Sequence, residues 1–314
     1  MSADLHLVTG GAGFIGSNLV RRLLADGQRV RVLDNFATGR RENLQEIQRD
    51  VEVVEGDLRS EADVRRAAAG ARYVLHLGAL GSVARSVQDP LTTHEVNATG
   101  TLRMLQAARE AGVERFVFSS SSSVYGNTPT LPKREDMTPV PLSPYALSKL
   151  AGEQYGRIFH QLYGLATFSL RYFNVFGPRQ NPQSQYAAVI PLFVDAYRHD
   201  RAPVIHGDGG QTRDFTFVED VIAANLCCCR ASLEGAGGVY NVAWGHRVSI
   251  RQLAEQIGAL LGKRIAPVHE PARAGDVRDS QADATRARTL LGWNPTVPFE
   301  EGLRRTVAWF TQET

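Results

Sequence analysis

A tyrosine and a lysine four residues apart, Tyr145 and Lys149, follow a run of five serines, Ser119 to Ser123. Residues spaced by four lie on one face of a helix, so the phenol and the ammonium can enter the same cleft. A free phenol titrates at about pH 10 and is a poor base at neutrality. A cation held nearby favours the phenolate and lowers that value. Such a base can take the proton of an alcohol while hydride leaves the same carbon. The hydride needs an acceptor, and Gly10-Gly11-Ala12-Gly13-Phe14-Ile15-Gly16 offers a place for one. Alone, Tyr-x-x-x-Lys is a common helix-surface pattern; the glycine segment and the serine run, in this order, make it chemical.

The glycine segment follows a predicted strand, Leu5 to Thr9, and opens a predicted helix, Phe14 to Ala25. In that context it signals dinucleotide binding. Gly10 permits the tight turn, Gly13 lets the backbone approach a pyrophosphate, and Gly16 allows close packing of helix on strand. The free N–H groups at the helix start then hold the phosphates. Asp34 ends the second strand, 18 residues beyond Gly16, where an acid binds adenosine ribose hydroxyls. A carboxylate there repels a 2′-phosphate, which favours NAD over NADP. Arg40 and Arg41 are the counter-indication, unless they are exposed helix residues. Gly56-Asp57-Leu58, after the third strand, suits the adenine edge, and an Asp here could equally cap a helix.

Several elements must position these groups. Arg29 to Leu33, Val51 to Glu55, Tyr73 to Leu77, Arg115 to Ser119 and Leu165 to Leu170 read as further strands. Asp89 to Ala111, ended by Gly112, and Tyr145 to Tyr163, introduced by Ser143-Pro144 and ended by Gly164, read as long helices. Strands alternating with amphipathic helices predict an α/β fold, a doubly wound parallel sheet. Beyond Phe173, Gly, Pro, Asn and Gln crowd the chain, which predicts a smaller loop-rich α/β substrate domain. The expected division is 1–173 for the Rossmann domain, with 213–242 returning to it, and 174–314 mainly for substrate, interleaved. Charge excludes some functions: 35 basic against 33 acidic residues leave +2, too little for a nucleic-acid stripe. No run of eighteen apolar residues exists to span a membrane. The start, Met1 to Leu7, enters a strand almost at once and leaves no room for a signal peptide. Cys227-Cys228-Cys229 fits neither a disulfide framework nor metal-ligand spacing. No metal is expected, and the expected location is the cytoplasm.

The glycine segment with Thr9, Asp34-Asn35-Phe36, Ser121 with Tyr145 and Lys149, and Arg171-Tyr172-Phe173-Asn174 together resemble the extended short-chain dehydrogenases. More closely, the chain is similar to the NAD-dependent nucleotide-sugar epimerase/dehydratase family. The likeness extends through His76-Leu77-Gly78-Ala79, Gly207-Asp208-Gly209, Arg213-Asp214-Phe215 and Gly275-Asp276-Val277-Arg278-Asp279-Ser280. Within the family, Leu80-Gly81-Ser82-Val83 and Ala187-Ala188-Val189-Ile190-Pro191 resemble bacterial UDP-N-acetylglucosamine 4-epimerases.

That resemblance implies roles. Tyr145 is the base and acid at the sugar O4, Lys149 tunes it and holds the nicotinamide ribose, and Ser121 bonds O4 and shuttles its proton. Ser122 and Ser123 line the sugar pocket with Gly81 and Ser82. Around NAD, Phe14, Ile15, Asn35, Thr38, Gly39, Leu58, Leu77, Ala79, Asn97, Ser119 and Tyr172 join the residues already named. Asn174 contacts the diphosphate, Arg213 and Arg273 neutralise it, and Ala188, Val189, Val204, Ile205 and His206 surround uracil. Gln180, Asn241 and Asp276 complete the substrate set, and Ser280 faces the C2 substituent. His206 and Phe193 stand where that group usually carries Asn and Trp, both expected near the nucleotide. The implied reaction interconverts UDP-N-acetylglucosamine and UDP-N-acetylgalactosamine, and the non-acetylated pair, in polysaccharide biosynthesis. Alternatives are a UDP-glucose- or UDP-glucuronate-specific 4-epimerase, a dehydratase or decarboxylase, or a silent NAD-binding regulator. The dehydratases carry Asp-Glu just after the catalytic threonine, where this chain has Ser122 and Ser123. Relatives pair their two long helices, which implies a homodimer.

Overall fold

The structure, a computed structural model, describes residues 4–181, 188–272 and 278–312. Six strands, β1 (Leu5–Thr9), β2 (Arg29–Asp34), β3 (Val51–Glu55), β4 (Tyr73–His76), β5 (Arg115–Ser121) and β6 (Ala166–Tyr172), form one sheet with an edge strand, Gly238–Val242. The order is β3, β2, β1, β4, β5, β6 and the edge strand, all parallel. Helices cover both faces, so the central strands are largely buried, β1 and β6 over their whole length. One layer holds Glu61–Ala68, Gly100–Glu110 and Pro144–Tyr163, the other Phe14–Ala25 and Val218–Cys228. Strand order reverses between β1 and β4, which opens a crevice at their carboxyl ends. Buried His76 spans that gap, with Nδ1 2.7 Å from the Thr9 hydroxyl and Nε2 3.0 Å from that of Thr101. Burial pushes this imidazole down to about 3, so it is a neutral clamp.

Both long helices occur, with one difference. The first starts at Pro90 under an Asp89 cap and widens into a π-turn at Glu95–Thr99. The wide turn presents Asn97, whose amide grips the Leu80 backbone at 2.8 and 3.2 Å. Periodicity alone does not announce a single inserted residue of this kind. The second helix is capped by the Ser143 hydroxyl and ended by Gly164 in the left-handed conformation. Short helices at Glu61–Ala68 and Val83–Gln88 add to the expected elements. Asp57 does not cap a helix; Ser60 does.

The second half is more ordered than its turn-rich composition predicts. It holds helices Val189–Arg198, Ile250–Leu260, Thr285–Leu291 and Phe299–Gln312 and three two-stranded pairs. Phe176, Phe215, Phe217 and Phe299 cluster, mostly edge to face or tilted, with ring centroids 5.5 to 6.0 Å apart. One hydrophobic cluster runs from Val8 and Leu19 through Val221 to Leu303 and Phe310. Phe193, expected near the nucleotide, belongs to that core.

Helix Pro144–Tyr163 crosses β5 at Gly152, where a Cβ would fall 2.3 Å from the buried Phe118 ring. Gly152→Ala should therefore destabilise the protein by about 1–3 kcal/mol, the usual cost of overpacking. A denaturation midpoint unchanged from wild type would contradict this packing.

Candidate functional site

A cleft of about 670 Å³ runs along the carboxyl ends of β1 to β5. At its floor the glycine loop follows β1. Gly10 has φ +68°, and a Cβ there would meet Gly78 Cα at 2.8 Å. A Cβ on Gly16 would meet the Gly10 carbonyl oxygen at 2.1 Å. Helix Phe14–Ala25 starts from Gly13 with no side chain capping it, so its first N–H groups face the cleft. Asp34 accepts the amides of Ala12 (2.9 Å) and Phe36 (2.8 Å), and Gly39 packs against its carboxylate. Burial pushes this carboxyl up while those amides draw it down. Arg41 stacks over Phe36 and pairs with Glu55 at 2.7 Å, and Arg40 pairs with Glu42. Neither is arranged as a 2′-phosphate pocket. Beyond them Asn35 and Arg59 hold Asp57, with Arg59 keeping its carboxyl well below the usual range. A dinucleotide fits this floor: glycines where a side chain would block it, open helix amides, and a carboxylate at the end of β2.

At the other end of the cleft, Ser121 caps a short 3₁₀ turn, and its oxygen accepts from Ser123 N (3.2 Å) and Ser123 Oγ (2.9 Å). Those bonds use both its lone pairs, which leaves its own proton for the Tyr145 phenol. Lys149 Nζ donates to the Ser119 carbonyl at 2.8 Å and lies 5.9 Å from the Tyr145 ring centroid. The expected lowering of the phenol by Lys149 is not what this arrangement produces. Burial pushes Tyr145 up, and the group drawing it down is Ser121. Burial also pushes Lys149 down, to about 8.

The expected cofactor residues Gly10, Gly13, Phe14, Ile15, Gly16, Asp34, Asn35, Thr38, Gly39, Asp57, Leu58, Leu77, Ala79, Ser119 and Tyr172 line this cleft. So do Gly81, Ser82, Ser121, Ser122, Ser123, Tyr145, Lys149 and Asn174. Others do not. Asn97 is buried and spends its amide on Leu80 and Ser148. Asn241, expected to touch substrate, is wholly buried and bonded to Tyr125, Lys133 and Asp283. Ile205 lies in the core, whereas Val204 is exposed and His206 faces Glu270 at 3.6 Å. Gln180 donates to the Val175 carbonyl, and Ala188 and Val189 begin helix Val189–Arg198. Arg213 bonds the carbonyls of Thr212 and Arg278. Ser280 Oγ accepts from Asn174 Nδ2 (3.0 Å) and Asp214 N (3.1 Å), which sets it behind Asn174 rather than on the cleft wall. Arg273 and Asp276 lie outside the described residues. Among the described residues no cluster of potential metal ligands occurs.

Glu153 and Arg171 received no role from the sequence, yet they meet beneath the serine run. Glu153 stands four residues beyond Lys149, on the Tyr145 face, and Arg171 is a charge within a buried strand. Both signals are visible in the chain.

A model described as the NAD dependent epimerase/dehydratase family matches residues 6–243. The chain belongs to that family. A UDP-glucose 4-epimerase of Mycolicibacterium smegmatis is 43% identical over 98% of this chain and 99% of its own. A UDP-N-acetylglucosamine 4-epimerase of Methanobrevibacter ruminantium, solved with UDP-N-acetylmuramic acid, superposes with a TM-score of 0.95 at 39% identity, covering 100% of both chains. A UDP-glucose 4-epimerase of Thermus thermophilus in complex with NAD gives 0.89 at 38%, covering 99% and 100%. NAD is this family's cofactor, and the floor of the cleft has the shape and chemistry to hold it. Asp34→Ala removes a charged acceptor and should weaken NAD binding about 10- to 100-fold by calorimetry. Equal affinity in variant and wild type would remove Asp34 from the cofactor site.

Proposed function

We propose that this chain is an NAD-dependent UDP-hexose 4-epimerase that interconverts UDP-N-acetylglucosamine and UDP-N-acetylgalactosamine, and also accepts UDP-glucose and UDP-galactose. One observation carries the reading: among the described residues, no carboxylate or histidine lines the serine end of the cleft beside Ser121, Tyr145 and Lys149. Of the cleft carboxylates, Asp34 ends β2 and Asp57 follows β3, three or more strands from β5. At about 4.8 Å per strand that is some 14 Å or more. Dehydration or decarboxylation needs a further acid or base beside C5 and C6, and Ser122 and Ser123 cannot supply one. A single oxidation and reduction at C4 needs only the three residues present.

Bound NAD supplies the acceptor and donor of hydride. Its phosphates are held by the amides that open helix Phe14–Ala25 and its adenosine ribose by Asp34. Tyr145, as the phenolate held by the Ser121 hydroxyl, takes the O4 proton and later returns it. Asn174, Arg213, Arg273, Val204 and His206 anchor the nucleotide, with Gln180, Ala188, Val189 and Asp276 beside it, while the sugar turns. The second half of the chain is the substrate side, and the reducing cytoplasm suits its three unpaired cysteines.

Substrate size rests on Ser280. A small side chain seated behind Asn174 leaves room for an acetamido group, and a tyrosine there would lose both hydrogen bonds and push towards the cleft. Turnover of four UDP-hexoses tests the whole reading. Wild type should convert both pairs, and Tyr145→Phe should lose about 10²–10⁴-fold in kcat while keeping NAD. Ser280→Tyr should lose the acetylated pair and keep UDP-galactose. A wild type inactive on the acetylated pair would leave a plain UDP-glucose epimerase.

We further infer a homodimer. A groove of about 520 Å³ between Glu61–Ala68, Gly100–Glu110 and Pro144–Tyr163 is lined by Val64, Leu102, Tyr155, Ile158 and Tyr163. Leu91 and Leu162, 78% and 69% exposed, extend this apolar face, whereas Leu105 and Phe159 are core residues. A self-complementary face of this kind suits a second copy. A monomeric mass by light scattering would contradict it.

A further inference from the structure

Three consecutive residues of β5 each take one contact from three residues of helix Pro144–Tyr163 spaced by four. Ser121 bonds the Tyr145 phenol, Ser119 accepts from Lys149 at 2.8 Å, and Ser120 Oγ donates to Glu153 Oε1 at 2.5 Å. The first two contacts hold the reactive groups. The third lies on the face of β5 that the helix covers, because Ser120 and Phe118, two residues apart, point to the same side. There Arg171, opposite Ser120 in the β5–β6 register, forks onto Glu153 with Nε–Oε1 2.8 Å and Nη2–Oε2 2.7 Å. The two side chains are 3% and 0% exposed, and Arg171 Nη1 has no hydrogen-bond partner. A buried ion pair is seldom more stabilising than an apolar pair of equal volume. Stability alone is therefore a poor reason for two charges here, and register is a better one.

We propose that Glu153 and Arg171 are positioning residues for the epimerase reaction, fixing the helix on β5 through Ser120 and balancing charge beneath Tyr145 and Lys149. This rests on the function proposed above. A slip of the helix would move Tyr145 from Ser121 and Lys149 from Ser119 together. The charged and titratable groups around the pair are few. The Tyr125 ring lies 4.6 Å from the Arg171 guanidinium, and the half-buried Glu135 lies beyond it. On the cleft side stand Lys149 and Tyr145 of the same helix, neutral His76 from β4, and Tyr172 from β6, whose hydroxyl is tied to Asn225. Glu153 and Arg171 cancel each other only while both are present. Loss of the carboxylate leaves a net positive charge, which disfavours the Lys149 cation and favours the Tyr145 phenolate. Loss of the guanidinium leaves a net negative charge and does the reverse.

The chain has three lysines, Lys133, Lys149 and Lys263, so a lysine-selective ¹³C NMR titration resolves Lys149 directly. It is assigned by Lys149→Met and requires no turnover. Glu153→Gln, isosteric and able to keep the Ser120 contact, should move the Lys149 titration and the acid limb of kcat to lower pH. Arg171→Gln should move both to higher pH. Ser120→Ala keeps both charges, and should lower kcat about 3- to 10-fold, the worth of one hydrogen bond, with KM and pH profile unchanged. Opposite shifts from the two charge variants, in folded protein that retains NAD, support the assignment. Shifts in one direction, or none, overturn it. If either charge variant fails to fold, Ser120→Ala decides: a lowered kcat supports the role and an unaltered kcat overturns it. A wild type that epimerises no UDP-hexose would fail the epimerase reading while leaving the Lys149 titration interpretable.

Discussion

At Gly152 the helix Pro144–Tyr163 lies so close to β5 that even a methyl group would press on Phe118, and this approach sets what its other side chains can reach. Tyr145, Lys149 and Glu153 share one helix face, and each meets a different serine of the strand. Close contact buries Lys149, Glu153 and Ser120 between the two elements. It therefore costs Lys149 its hydration, which pushes that cation down to about 8. The same burial raises the Tyr145 phenol. Geometry and electrostatics here have one origin.

The opposite end of the cleft depends on a different constraint. Reversal of strand order between β1 and β4 leaves a gap that no helix covers, and the glycine loop lies in it. The gap must still be held rigid. His76 does this as a neutral group between two threonine hydroxyls, and Asn97 adds a second tie from the π-turn to Leu80. A charged histidine could not occupy so dry a position, and burial accordingly suppresses its protonation.

Between these ends lies Asn174, held at φ +33°, a conformation that most side chains avoid. Its amide ties the Asp214 carbonyl to the Ser280 hydroxyl. Asp214 in turn accepts the amides of Gly245 and Ala282, and burial pushes its carboxyl up to about 7. Three distant segments of the second half thus converge behind one residue of the cleft wall. Strain at Asn174 is tolerated because these bonds over-determine its position.

Local chemistry determined much on its own. The strands, the two long helices with their caps, the glycine floor, Asp34 and the Tyr145–Lys149 pair follow from period, turn residues and side-chain type within short windows, whereas Ser121 was singled out by the family resemblance. Such features need no knowledge of distant neighbours. Tertiary structure decided the rest. Asn241 and Ile205 carry no local mark that separates a core position from a pocket wall; burial among residues far along the chain decides it. The direction in which Tyr145 shifts was equally illegible, because helical spacing places a cation near a phenol but says nothing of how dry the site is. The partnership of Glu153 with Arg171 joins a helix to a strand across 18 residues and exists only once β6 lies beside β5. Spacing by four could nominate Glu153 as a neighbour of Lys149. Only the packed sheet could bring to it the guanidinium that it pairs with in the interior.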